Sequence, residues 1–250
     1  MKIKVMTHIV VGYPSLSESE TIAKAMIKQG VDYLELQIPF SDPVADGPTI
    51  MMANQKSLAN NTTPVDCFAQ MQALANYRDE LGSSTKLLFM TYYNIVFNYG
   101  IHEFCKKATE LGVYGLIVPD MPVSCEQHEN FFAACKQYNL QPIQIVSPLS
   151  TAERLKAIGD TASGFVYCVA RTGTTGIKTE ITVELQNYLE KAREYIKVPL
   201  ALGFGISTVE DVKAASEFAD IVVIGSHFIK LYDKEGTTAI EHFLQKVCVN

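Results

Sequence analysis

The sequence predicts an α/β fold in which eight parallel strands close into a single barrel, and three observations lead there. Short apolar runs alternate with amphipathic helical stretches from one end of the chain to the other. Strand candidates begin near Val5, Asp32, Lys86, Gly115, Leu140, Phe165, Val198 and Ile221, with one interval, Asp32 to Lys86, about twice the others. No linker, low-complexity tract or Pro/Ser-rich boundary interrupts residues 1–250, so one domain is expected. Strands joined by helical crossovers pair in parallel, and parallel sheets need cover on both faces. A (β/α)8 TIM barrel supplies that cover, and 250 residues is an ordinary length for one. An open, doubly wound sheet is the runner-up.

The elements follow in order. MKIKVMTHIVVGYP reads as a first strand ending in a Gly-Tyr-Pro turn, with no clear helix before it. Its apolar run is short and is broken by Thr7 and His8, so it is no signal peptide, and nothing later reaches membrane-spanning length. In the first helix Ile22, Ala23, Met26 and Ile27 share a face, with Glu18, Glu20 and Lys24 largely elsewhere. The long second interval holds an extra helix after strand two, over 49–60, before another over 64–77. There Thr63-Pro64 supplies the break and a helix-start proline. The stretches Phe104 to Leu111 and Phe131 to Tyr138 repeat the helical period.

Composition excludes several function classes. Hydrophobic residues are 48% and charged residues 19%, which suits a large core and not a disordered chain. The net charge of −6, without a dense Lys/Arg run, makes a nucleic-acid partner a poor fit. The six cysteines show no CxxC spacing, and no His stands at metal-ligand spacing. Free thiols in a reducing cytoplasm, without a metal, are the expectation.

In barrels of this kind the chemistry lies at the carboxyl ends of the strands. Alternation along DYLELQIPF puts Leu34, Leu36 and Ile38 on one face and Tyr33, Glu35 and Gln37 on the other. Glu35 should therefore point into the barrel. A carboxyl group in so dry a place should have a raised pKa and can shuttle protons, or it can serve as an interior structural ion pair. The loop Pro39 to Pro48 adds Asp42, which reads as a turn residue, and Asp46, the better candidate, where the loop returns to the mouth. LGFGIS (Leu202 to Ser207) and VIGSHF (Val223 to Phe228) each end a strand and run into a helix. Glycines there let backbone amides approach an anion, so the pair predicts a phosphate cradle. The loop Ala170 to Glu180, with hinges at Gly173 and Gly176 and hydroxyls at Thr172, Thr174 and Thr175, reads as a lid.

LELQIPFSDPVADGPTI, MTYYNIVFNYGI, IVPDMPV, ARTGTTG, GFGIS and IGS, in this order, resemble the alpha subunit of tryptophan synthase over nearly the whole chain. The resemblance implies cleavage of indole-3-glycerol phosphate to indole and glyceraldehyde 3-phosphate. It also implies a beta-subunit partner carrying pyridoxal phosphate, an α2β2 assembly, and no cofactor in this chain. Glu35 would be the general acid/base, and Asp46 would accept the indole N–H. Tyr92, inward on strand three with Leu88 and Met90, would border the substrate, and Thr175 would bond Asp46 on lid closure. Gly176, Gly205, Gly225 and Ser226 would hold the phosphate. Ile50, Met90, Ile117 and Phe204 would form the slot for the flat ring, and Asp42 and Pro43 would face the partner.

The sequence departs from the family pattern in three places. Gln37 stands where the family usually has Gly, able to crowd the ring or to bond Glu35, with weakened or partner-dependent cleavage as the expected result. Ala170 and Thr174 replace the usual Ser and Val of the lid, and the usual helix before strand one is missing. Two rival readings stay open: a subunit that mainly activates its partner, and another phosphate-binding barrel enzyme. The latter lacks support in the strand-end lysines, since Lys86 lies at the start of strand three, remote from the mouth. A stand-alone lyase releasing free indole is a third.

Overall fold

The computed structural model describes residues 3–170, 183–203 and 205–248. Eight strands begin within two residues of the expected positions: β1 (Lys4–Val10), β2 (Tyr33–Gln37), β3 (Lys86–Met90), β4 (Gly115–Ile117), β5 (Gln141–Val146), β6 (Val166–Val169), β7 (Leu200–Gly203) and β8 (Ile221–Ile224). Each pairs in parallel with its sequence neighbours, and β1 also pairs with β8. The sheet is a closed barrel.

Alternation sorts the side chains. Met6, Tyr33, Leu88, Ile117, Ile143, Phe165, Ala201 and Ile221 form a buried cluster inside the barrel. Leu34, Leu36, Leu87, Phe89, Leu116, Val166, Leu202 and Val222 face the helices in the larger core. Burying each large apolar side chain stabilises the fold by about 1.5–3 kcal/mol. At the amino ends of the strands the barrel is closed by rings. Phe165 lies 5.2 Å from Tyr33, and Tyr33 lies 6.0 Å from Tyr114. The Lys86 ammonium sits 4.2 Å from the Tyr114 centroid and 5.6 Å from that of Tyr33. Lys86 thus belongs to the floor. Its pKa is held below the ordinary range by burial and then by Lys4, against the pull of Asp32.

Around the barrel, α1 (Leu16–Lys28) buries Ile22, Ala23, Met26 and Ile27 and is capped by Ser15, whose hydroxyl accepts from the Glu18 amide. After β2 come α2 (Pro48–Ala59) and α3 (Pro64–Glu80), and Thr63 and Asp66 form a capping box at the expected break. Such a cap contributes about 1 kcal/mol. The crossovers after β3, β4 and β8 hold two helices as well, where single helices were expected. These are α4 (Tyr93–Tyr99) with α5 (Ile101–Glu110), α6 (Glu126–Glu129) with α7 (Phe131–Gln137), and, after β8, α11 (Ser226–Glu235) with α12 (Thr237–Cys248). The breaks are single residues with positive φ, Gly100 at 96°, Asn130 at 55° and Gly236 at 76°, too brief to lengthen the interval between strands. The remaining helices are α8 (Ala152–Thr161), α9 (Val183–Tyr195) and α10 (Val209–Ala215). All six cysteines are free thiols.

Where α8 meets α9, an added Cβ on Gly159 would lie 2.2 Å from the Tyr195 carbonyl oxygen. Helix propensity alone favours alanine over glycine by about 1 kcal/mol. Contact with a backbone atom reverses the sign: Gly159→Ala is expected to lower stability by about 1–3 kcal/mol in urea unfolding. A rise in stability would mean that the two helices separate easily.

Candidate active site

The site starts from a register. His8 on β1 lies opposite Glu35 on β2, both inward by alternation, and both are buried. His8 Nδ1 stands 3.2 Å from Glu35 Oε1. The other polar atoms of the pair, His8 Nε2 and Glu35 Oε2, are buried with no hydrogen-bond partner among the described residues. Burial disfavours a charge on His8. Glu35, by charge and hydrogen bond, and then Asp46 and Gln37, outweigh it and hold the imidazole above its ordinary pKa. A buried carboxylate without such a partner would be costly.

The loop after β2 brings the second acid alongside. Asp46 is buried, and its amide donates to the Pro43 carbonyl at 2.9 Å. Gln37 Nε2 donates to Asp46 Oδ2 at 2.6 Å, and Asn54 Nδ2 reaches the same oxygen at 3.3 Å. Asn54 is a clamp that the sequence reading missed. It also donates to the Ile50 carbonyl at 2.9 Å and accepts the Phe40 amide at 3.0 Å, tying α2 to the loop. Burial pushes the Asp46 carboxyl above the usual range. Gln37, His8 and Tyr92 oppose that rise, and Glu35 adds to it. Gln37 therefore holds Asp46; it does not bond Glu35, one of the two possibilities its position had raised.

Tyr92 lies just past β3, as the residue capping α4, and joins Leu88, Met90 and Ile117 in the interior cluster. Its hydroxyl accepts the Ala45 amide at 3.1 Å, and its ring stacks on Phe40 at 4.9 Å. Ile50 packs elsewhere, with Val10, Tyr13, Ala53 and Ile229. Tyr167 of β6 is a further inward residue. Burial and then the nearby Glu35 and Asp46 carboxyls push its hydroxyl well above its ordinary pKa. An added Cβ on Gly203 would lie 2.7 Å from its ring, so that glycine makes room for it. Alternation along FVYCV signals Tyr167 as plainly as it signals Glu35.

The two helix starts expected to cradle an anion differ. Gly205 adopts a φ of 63°, but α10 beyond it is already capped: Asp211 accepts the Ser207 and Thr208 amides, both at 2.9 Å. Burial raises the Asp211 pKa, yet these bonds prevail and hold its carboxyl below the usual range, so a negative charge occupies that helix start. At α11, by contrast, Gly225 makes no side-chain cap, and the first turn from Ser226 carries no acid. This is the start suited to an anion. Thr175, Gly176 and Phe204 lie outside the described residues, as does all of the lid beyond Ala170.

On the outer side of the loop Asp42 is exposed and Pro43 buried, and Val44 is 77% exposed. The apolar surface here thus belongs to Val44. Among the described residues no group of three or more His, Cys, Asp or Glu is placed to hold a metal, and no helix is long and apolar enough to cross a membrane.

A family model described as tryptophan synthase alpha chain matches residues 2–250. The tryptophan synthase alpha chain of Desulfotalea psychrophila is 46% identical over 242 residues, 97% of this chain and 92% of that one. That of Syntrophotalea carbinolica is 41% identical, over 98% of this chain and 94% of that one. Among solved structures, Mycobacterium tuberculosis tryptophan synthase superposes with a TM-score of 0.90 at 27% identity, over 99% of this chain and 92% of that one. A mutant tryptophan synthase alpha-subunit from Pyrococcus furiosus gives 0.84 at 30%, over 98% and 96%. The reading as a different phosphate-binding barrel enzyme is not favoured by these matches. Identity of this degree over nearly the full length decides the matter: the chain belongs to the tryptophan synthase alpha chain family, and it is a lyase that cleaves indole-3-glycerol phosphate.

Proposed function

We propose that Glu35 and Asp46 divide the work of this retro-aldol cleavage between them. The observation that carries the proposal is the placing of two buried carboxyl groups on one side of the barrel mouth, beside an apolar slot. Glu35 protonates the indole carbon that bears the glycerol chain. Asp46 accepts the ring N–H and stabilises the positive charge that develops on it. Glu35, now a carboxylate, takes the proton of the adjacent chain hydroxyl. The carbon–carbon bond then breaks, its electron pair returns to the ring, and indole and the aldehyde separate. The proton count closes, since the proton given to carbon is recovered from oxygen.

Met90, Ile117 and Tyr92 flank the ring, and Tyr92 also steadies the loop that carries Asp46. The phosphate rests on Gly225 and Ser226, with Gly205 completing the cradle. Since Asp211 already serves α10, the α11 amides carry most of the anion binding. Indole passes to a beta subunit that holds pyridoxal phosphate, in a cytoplasmic α2β2 assembly, while this chain itself needs no cofactor. Asp42 and the exposed Val44, with the buried Pro43 between them in sequence, form part of the loop that meets the partner.

Glu35→Gln is expected to lower indole release from indole-3-glycerol phosphate by about 10²–10⁴-fold with little change in KM. The assay is run with and without beta subunit, and near-normal release would remove Glu35 from the chemistry. Gln37 holds Asp46 at 2.6 Å and so restrains cleavage until the partner binds. Gln37→Gly is expected to raise release by the isolated chain roughly fivefold, the worth of about one hydrogen bond. Unchanged release would show that Gln37 has no such role.

A further inference from the structure

His8 is a buried titratable side chain at the mouth to which the reaction as written gives no task. It is 7% exposed, opposite Glu35 in register, with Nδ1 3.2 Å from Glu35 Oε1. Both remaining atoms of the pair, His8 Nε2 and Glu35 Oε2, are buried without a partner among the described residues. Buried polar atoms are rarely left unmatched, so such a pair marks a place for ligand atoms. His8 also lies close to the phosphate side of the site: a Cβ added at Gly225 would come within 3.4 Å of the His8 Cβ.

We propose that His8 is a positioning residue for Glu35, its ring N–H claiming one carboxylate oxygen so that Oε2 alone exchanges protons with substrate, and its second nitrogen holding the proton the pair needs. The proposal rests on Glu35 being the acid/base. In the competent state the pair is neutral overall, as imidazolium with carboxylate or as imidazole with carboxylic acid. One fewer proton leaves no acid for the ring carbon.

The groups facing His8 set the direction of its pH response. Glu35 of β2 and Asp46 of the following loop favour the charged ring, with Gln37 assisting, against burial. A narrow cleft between β1, α1 and α11, lined by His8, Tyr13 and Tyr232, brings the two tyrosines to the other side of His8. Both are kept protonated, since Tyr13 donates to Asp233 at 2.7 Å and Tyr232 to Glu18 at 2.6 Å. Burial holds the Tyr13 hydroxyl above its ordinary range, and the bond to Glu18 pushes Tyr232 up to about 12. Because the His8 pKa is raised, its proton persists above the usual imidazole range and is lost as pH rises through the raised value. Cleavage should therefore decline on the alkaline side as His8 loses its proton.

The test is indole release from indole-3-glycerol phosphate between pH 5 and 9, measured for the full chain with and without beta subunit. The variants are His8→Asn, His8→Phe and Glu35→Gln, with folding of each checked by circular dichroism. His8→Asn keeps an N–H for Oε1 but cannot carry the proton. Its alkaline limb should move down by about one pH unit or more, a loss of roughly tenfold in kcat at pH 8, with KM nearly unchanged. His8→Phe loses the N–H as well, and kcat should fall at every pH. A wild-type alkaline limb in His8→Asn overturns the proton-holding role, even if His8→Phe does not fold. Wild-type kcat in a folded His8→Phe overturns the positioning role. In both cases an inactive Glu35→Gln leaves the reading of Glu35 standing. An active Glu35→Gln would sink that reading and this proposal together.

Discussion

Strand closure with period-two alternation is the constraint on which the rest depends. Once β1 pairs with both β2 and β8, every side chain of the wall must point either into the barrel or towards the helices. A slip of one residue between β1 and β2 would exchange their inward and outward sets, leaving Leu34 and Leu36 inside and Glu35 among the helices. The large apolar layer outside therefore enforces the polar arrangement inside. The register that seats Ile9 beside Leu36 also seats His8 beside Glu35.

The polar end of the interior is costly, and it is stabilised in pieces. Glu35 has His8, and Asp46 has Gln37 and Asn54, so neither acid is buried without a donor. Asn54 and Tyr92 also hold the backbone of the loop, through Phe40 and Ala45. Because donors and loop are tied together, Asp46 cannot move without disturbing α2 and the start of α4. This is how an irregular loop acquires the precision of a strand.

Much of this was legible in the sequence, and the exceptions have physical causes. The spacing of apolar runs marked the strands, and alternation alone turned Glu35 inward. Pairing register between distant strands leaves no local trace, so His8 could not be matched to Glu35 beforehand. Gln37 was seen on the inward face, but its partner depended on how far the loop folds back, and it met Asp46 instead. Asn54 was hidden for the same reason. The burial of Pro43 also follows from that fold-back. The capping of α10 was readable: Thr208 and Asp211 stand at capping-box spacing, and that acid already hinted that the two helix starts were unequal. Tyr167 needed only the alternation already applied to β2. The paired helices after β3, β4 and β8 escaped because one left-handed residue ends a helix without adding length.

The ring-filled floor has a consequence for traffic. With Tyr33, Tyr114, Phe165 and Lys86 stoppering the amino end, the cylinder is a cul-de-sac. Reactant and both fragments must use the same doorway, at the rim where Asp46 and the α11 start lie. The order of departure is then governed by which fragment stands nearer that rim, and nothing can drain out behind the chemistry.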